Sequence, residues 1–165
     1  MPVVVSDTSV INYLAAVGQM ELLRVEFREI VVPPAVWREL HAKPNLPATV
    51  AADSARESGW LLIQQPKPSQ LLNQLFADLD PGEAEAIALA WELKPATVLL
   101  EETEGRAAAR RLGLPVIGTV GILAGARQTG RLPRIRPLLD RLMNDHRFRL
   151  RRELYDQLVA GDQVD

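Results

Sequence analysis

Acidic side chains offer the most chemistry in this chain. Asp7 closes one short apolar run, and Glu101 and Glu102 close another. Glu39 and Glu83 fall near the ends of helical patterns that a fold can bring to the same edge. Acids gathered without neutralisation repel one another and resist burial unless a cation occupies the space between them. Mg2+ or Mn2+ suits such a cluster, because hard divalent ions take carboxylate oxygens and water. One or two such ions can lower the pKa of a bound water and stabilise charge on a phosphoryl oxygen.

Each acid also has a plainer reading. Asp7 can simply cap the helix that follows it. In Asp80-Pro81-Gly82-Glu83 the spacing reads as a capping box, with Pro81 at the first helical position and Glu83 at the third. Glu39, one turn after Val36, is equally an exposed helix acid. The run Glu101-Glu102-Thr103-Glu104 can load the positive end of the next helix. Ser6, Thr8, Ser9 and Thr119 can donate to a carboxylate, a water or a phosphate, or satisfy backbone groups at helix starts. Trp37 and Trp60 sit in apolar patterns and read as core or interface residues rather than base-stacking platforms. One at a time, these residues decide nothing.

The elements that position them alternate along the chain. Val3–Val5, Glu29–Val32, Trp60–Ile63, Thr97–Leu100 and Pro115–Ile117 are short apolar runs of strand type. Between them lie helical patterns, including Val10–Val17, Ala35–Ala42, Ala48–Ser58, Ser69–Ala77, Pro81–Leu93 and Thr103–Leu112. Thr119 is placed to cap a helix reaching about Thr129, and Pro133–Leu142 and Glu153–Val159 read as C-terminal helices. Buried strands alternating with helices imply a three-layer α/β/α arrangement around a five-stranded parallel sheet. Such sheets bind ligands beyond the carboxyl ends of their strands. That is where Asp7, Glu101 and Glu102 fall.

Composition narrows the chemistry further. The 165 residues, 47% hydrophobic and 24% charged, suit a single globular domain spanning 1–165. With no cysteine and only two histidines, thiolate metal sites, disulfides and Ser-His-Asp triads have almost nothing to build on. A chain without cysteine fits a reducing compartment, and no signal or membrane-spanning run is visible, so a cytoplasmic location is expected.

The formal charge of −2 conceals a strong asymmetry. Residues 1–104 hold 7 Lys and Arg against 15 Asp and Glu, whereas residues 105–152 hold 12 Arg, no Lys and only Asp140 and Asp145. Folded together, these segments can set an acidic pocket beside an arginine-rich rim, the electrostatics of a metal-dependent enzyme acting on a phosphodiester. Solvated helix faces would give the same counts.

Five segments, in order, resemble the PIN-domain family and within it the toxin-like nucleases related to VapC. They are Val3-Val4-Val5-Ser6-Asp7-Thr8-Ser9, Val36-Trp37-Arg38-Glu39-Leu40, Asp80-Pro81-Gly82-Glu83-Ala84-Glu85-Ala86-Ile87, Val98-Leu99-Leu100-Glu101-Glu102 and Gly113-Leu114-Pro115-Val116-Ile117-Gly118-Thr119. The resemblance implies cleavage of single-stranded RNA by water activated on Mg2+ or Mn2+. It makes Asp7, Glu39, Glu83 and Glu101 the catalytic and metal-binding acids, with Glu102 a further ligand. Glu101 stands where the family usually has Asp, and the extra methylene moves its carboxylate outward. Glu85 is an alternative to Glu83, but two residues along a helix point about 200° apart. Ser9, Arg106, Arg110 and Thr119 are the implied substrate contacts. The resemblance also implies a homodimer and a cognate antitoxin protein.

Other readings of the same residues predict different behaviour. A catalytically silent module of the same fold would bind RNA or a protein without cutting. A phosphotransfer domain with Asp7 as acceptor normally carries a second Asp where this chain has Ser9, or a Lys after its last strand, and no Lys follows Lys94.

Overall fold

The computed structural model describes residues 2–162. Its five strands are β1 (Val3–Ser6), β2 (Ile30–Val32), β3 (Leu61–Ile63), β4 (Ala96–Leu99) and β5 (Val116–Ile117). They form one all-parallel sheet in the order β3-β2-β1-β4-β5. The strands are short and β-branched, and both of their faces are covered, as buried parallel strands require.

Alternation along β1 shows the layering. Val4 points into one hydrophobic core and Val5 into the other. The first core lies beneath α1 (Thr8–Ala16), α2 (Glu21–Phe27), α3 (Pro34–Leu40), α4 (Pro47–Glu57), α8 (Thr119–Gln128), α9 (Arg136–Asp145) and α10 (Arg152–Ala160). The second lies beneath α5 (Gln70–Asp78), α6 (Pro81–Glu92) and α7 (Thr103–Arg111). Helices on both faces of the sheet make a three-layer α/β/α fold. Among the described residues no helix is long and apolar enough to cross a membrane.

Local chemistry sets most boundaries. Pro34, Pro47 and Pro81 stand in the first turns of their helices, where a missing N–H costs nothing. The Ser69 hydroxyl accepts the N–H of Leu72 at 3.0 Å to cap α5. Gly113, at φ +73°, ends α7 and turns the chain into β5.

Most element ends lie one or two residues from those read in the sequence, and two shifts are larger or change a cap. Helix α9 begins at Arg136 rather than Pro133, because the Asp162 carboxylate accepts the N–H groups of Ile135 and Arg136 at 2.8 and 3.0 Å. A residue from the far end of the chain thus caps this helix. Gly118, not Thr119, is the N-cap of α8.

The sheet order fixes where chemistry can happen. From β1 the chain builds outward to β2 and β3, then returns to place β4 on the opposite side. The switch point therefore lies between β1 and β4, whose carboxyl ends deliver Asp7 and the pair Glu101-Glu102.

Candidate metal centre and its arginine rim

Asp7 follows β1 and is only 3% exposed. Its N–H donates to the Leu99 carbonyl at 3.0 Å, which ties it to the end of β4. It occupies the N-cap position of α1, yet its side chain makes no capping bond beyond the adjacent Thr8 N–H. Burial pushes the carboxyl up to about 7 against the pull of that N–H, with the charges of Glu39, Glu102 and Asp80 adding to the rise.

Glu39 reaches the same place from the last turn of α3. The Thr8 hydroxyl donates to its Oε2 at 2.5 Å. The orientation of α3 is itself anchored from α6, where Glu85 Oε2 accepts the N–H of Ala35 at 2.9 Å. Glu85 is thereby committed to the start of α3. The helical geometry that turns it away from Glu83 turns it toward this structural task.

The start of α6 closes on both acids. A Cβ at Gly82 would lie 3.1 Å from Asp7 Oδ1 and 3.1 Å from Glu39 Oε1. Only a residue without a side chain lets the helix backbone approach two carboxylates so closely.

Glu83 adds a third acid, 6% exposed. The capping box suggested by its spacing is not formed: Asp80 is the N-cap, but neither side chain returns a bond to the helix start. The Glu83 carboxyl lies instead against Gly105 of α7, its Oε2 3.4 Å from where a Cβ would stand. Burial pushes it up to about 7, reinforced by Asp7, Asp80, Glu102 and Glu104. Among the described residues no ion pair neutralises Asp7, Glu39 or Glu83.

Glu101 and Glu102 part company. Glu102 lines a cleft of about 520 Å³ with Asp80, Glu83 and Glu104, and its charge acts on both Asp7 and Glu83. Glu101 turns toward α8, where its Oε1 accepts the N–H of Thr119 in a short hydrogen bond. It also borders a second cleft of about 1040 Å³ with Arg106, Arg149 and Arg151. The two clefts meet at Thr103. The acidic pocket and the basic rim expected from the charge asymmetry are neighbours.

The implied substrate contacts are spread along this edge. Thr119 is fully buried, and its Oγ1 has no hydrogen-bond partner among the described residues. Arg106 is half-buried, and its Nε has no hydrogen-bond partner among the described residues. Ser9 is half-buried in the first turn of α1. Arg110 is exposed in the last turn of α7, about 10 Å further along the helix than Thr103, and borders neither cleft.

Several members of the site escape a reading by motif. Asp80 has the sequence pattern of a cap, yet it adds charge to the cleft. Gly82 admits the helix, with the Pro-Gly-Glu order as its available signal, whereas Thr8 takes one of the roles its hydroxyl offered, donating to a carboxylate. Arg149 and Arg151 had only their place in an arginine-rich segment to mark them.

The donor set matches a hard divalent cation: oxygen ligands only, two of them buried carboxyls that resist ionisation without a positive charge nearby. Among the described residues, no group of three or more acids or histidines is drawn in closely enough to hold a metal ion as it stands. Mg2+ does not demand such a cage, since it commonly keeps several waters and rests on one or two carboxylates plus substrate phosphates. The fit is therefore one of charge and donor chemistry.

No curated protein matches the chain significantly. A family model described as PIN domain matches residues 3–161. Such domains are typically nucleases that use divalent metals such as Mg2+. Matched over nearly its whole length, the chain belongs to the PIN-domain family.

Proposed function

We propose that the chain is a Mg2+- or Mn2+-dependent endoribonuclease acting on single-stranded RNA. The observation that carries this reading is the burial of Asp7 and Glu83 beside Glu39 and Glu102, with no ion pair to offset them among the described residues. A protein holds such a cluster at a cost in stability unless a cation relieves it. Asp7, Glu39 and Glu83 would hold the ion, with Glu102 as the fourth acid. Glu101, the fourth acid by motif order, is engaged by Thr119 in this state. When bound, the metal would activate water and offset charge developing on the phosphate. The chain's own residues position the strand: Arg106, Arg149 and Arg151 offer guanidinium groups to phosphates along the larger cleft.

The toxin role, the antitoxin partner and the homodimer are part of the same proposal, supported by the order of the five motifs. Growth arrest on expression, relieved by a protein encoded in an adjoining frame, is the expected behaviour, with a dimeric mass by light scattering.

Purified protein incubated with single-stranded RNA and Mn2+ tests the chemistry. Cleavage should require the metal and disappear in Asp7→Asn. Cutting that survives EDTA or that substitution overturns the mechanism. RNA binding without cutting would instead favour the silent module.

A further inference from the structure

Thr119 opens α8 with its N–H held by an acid from the same chain, and the surroundings of that bond are unusual. The Thr119 hydroxyl is fully buried and has no hydrogen-bond partner among the described residues. Arg106 Nε is also buried and, among the described residues, has no hydrogen-bond partner. At Gly118, a Cβ would lie 3.0 Å from Glu101 Oε1 and 3.1 Å from Arg106 Nη1, so carboxylate and guanidinium flank one bare stretch of backbone. Yet among the described residues no ion pair joins Arg106 to Glu101. Buried donors left unsatisfied are costly, and a guanidinium and a carboxylate on either side of the backbone at a helix N-terminus describe a place suited to an anion.

We propose that the first turn of α8 and Arg106 form a seat for a phosphate oxygen, which the Glu101 carboxylate holds until a phosphate group displaces it. This deepens the nuclease reading and rests on it for the source of the phosphate. The seat opens into the larger cleft, where Arg149 and Arg151 can receive neighbouring phosphates of one strand. Glu101 suits the role by its length. It leaves the end of β4 one residue before Glu102, and its extra methylene relative to Asp carries the carboxylate across to the α8 backbone. The bond caps the dipole of α8 in the free protein. Displacement would free the carboxylate at the moment substrate arrives.

The test is phosphate binding in EDTA, where nothing is cut, so its failure is separable from failure of the nuclease reading. Calorimetry with inorganic phosphate, and fluorescence anisotropy with a single-stranded oligodeoxynucleotide lacking terminal phosphates, are run in parallel. If Glu101 fills the seat most of the time, Glu101→Ala removes that competition and should tighten binding by roughly tenfold. Glu101→Asp, which keeps the charge but loses the reach, should also gain, and it serves if the alanine variant loosens α8. Arg106→Gln placed on Glu101→Ala should cancel the gain. Glu153→Gln removes a charge from the same cleft without touching the seat and should gain little. A gain with both probes identifies an internal phosphodiester as the ligand. A gain with inorganic phosphate alone identifies a free or terminal phosphate. No gain in folded Glu101→Ala and Glu101→Asp, or an equal gain in Glu153→Gln, overturns the proposal.

Discussion

Asp7 and Glu39 come from different elements, yet each holds a carboxylate oxygen 3.1 Å from the Cβ position of Gly82. A Cβ there would sit closer than ordinary van der Waals packing allows, and Glu39 is pinned by Thr8 on its other oxygen. A methyl group at residue 82 must therefore push one or both carboxylates aside.

Gly82→Ala should separate stability from function. Alanine in place of glycine favours a helix by up to about 1 kcal/mol, which offsets part of the crowding. Thermal stability should change little, while Mn2+ affinity and nuclease rate fall by at least about tenfold. Equal losses in melting temperature and metal affinity would show that the glycine serves only packing.

Asp7 links the site to pH. Its carboxyl is raised from 3.8 to about 7, so between those values the folded chain binds more protons than the unfolded one. Stability of the metal-free protein must then fall as pH rises from about 4 to about 7, and Glu83 acts in the same direction. A tenfold change in proton affinity is worth about 1.4 kcal/mol, so a drop of a few kcal/mol is expected. Denaturant melts in EDTA at pH 5 and pH 8 measure it. Asp7→Asn should raise the pH 8 value while removing cleavage; a melt independent of pH would contradict the burial of an uncompensated acid.

Thr8 positions Glu39 without being placed to touch substrate. Thr8→Val keeps the shape but removes the hydroxyl that donates at 2.5 Å. The expected result is a rate loss of roughly tenfold, on the scale of one charge-assisted hydrogen bond, and smaller than that of Glu39→Gln. Thr8→Ser should restore most of it.

The sheet was legible because its strands are short aliphatic runs, four of them followed by polar or proline residues and the fifth by Gly118, with helical spacing between them. Asp7 and Glu83 were visible as acids, but their capping alternatives had equal standing. Tertiary packing decides against capping: Glu83 lies against Gly105 of α7, a contact no local pattern encodes. Adjacent residues in a loop can face opposite ways, so the divergence of Glu101 and Glu102 needs the fold itself. The same holds for Arg149 and Arg151, which reach the site only because the C-terminal segment returns along β5.

Those two arginines make a prediction about ionic strength. Both are exposed beside the larger cleft, where each can meet one phosphate of an extended strand. Counterion release gives a slope of log affinity against log salt of about −0.7 per phosphate for single strands. Replacing both by alanine should flatten the slope by about 1.4, measured with an RNA oligonucleotide in EDTA. Mn2+ affinity in the absence of RNA should not move, because neither residue borders the acidic cleft.

Glu101 and Glu102 are separated by what they touch. Glu102 shares its cleft with Glu83 and its charge acts on Asp7, whereas Glu101 is occupied at α8. Removing a charge from the cluster weakens its attraction for a cation, and removing one that faces another partner does so less. In Mn2+ titrations followed by paramagnetic resonance without substrate, Glu102→Gln should lose roughly tenfold in affinity and Glu101→Gln little. Glu101→Gln should instead lower the melting temperature, since the charged cap of α8 is weakened. The reverse ranking in the titration would mean that Glu101 swings back to the metal on its own, and that the bond to Thr119 is the weaker of its two alternatives.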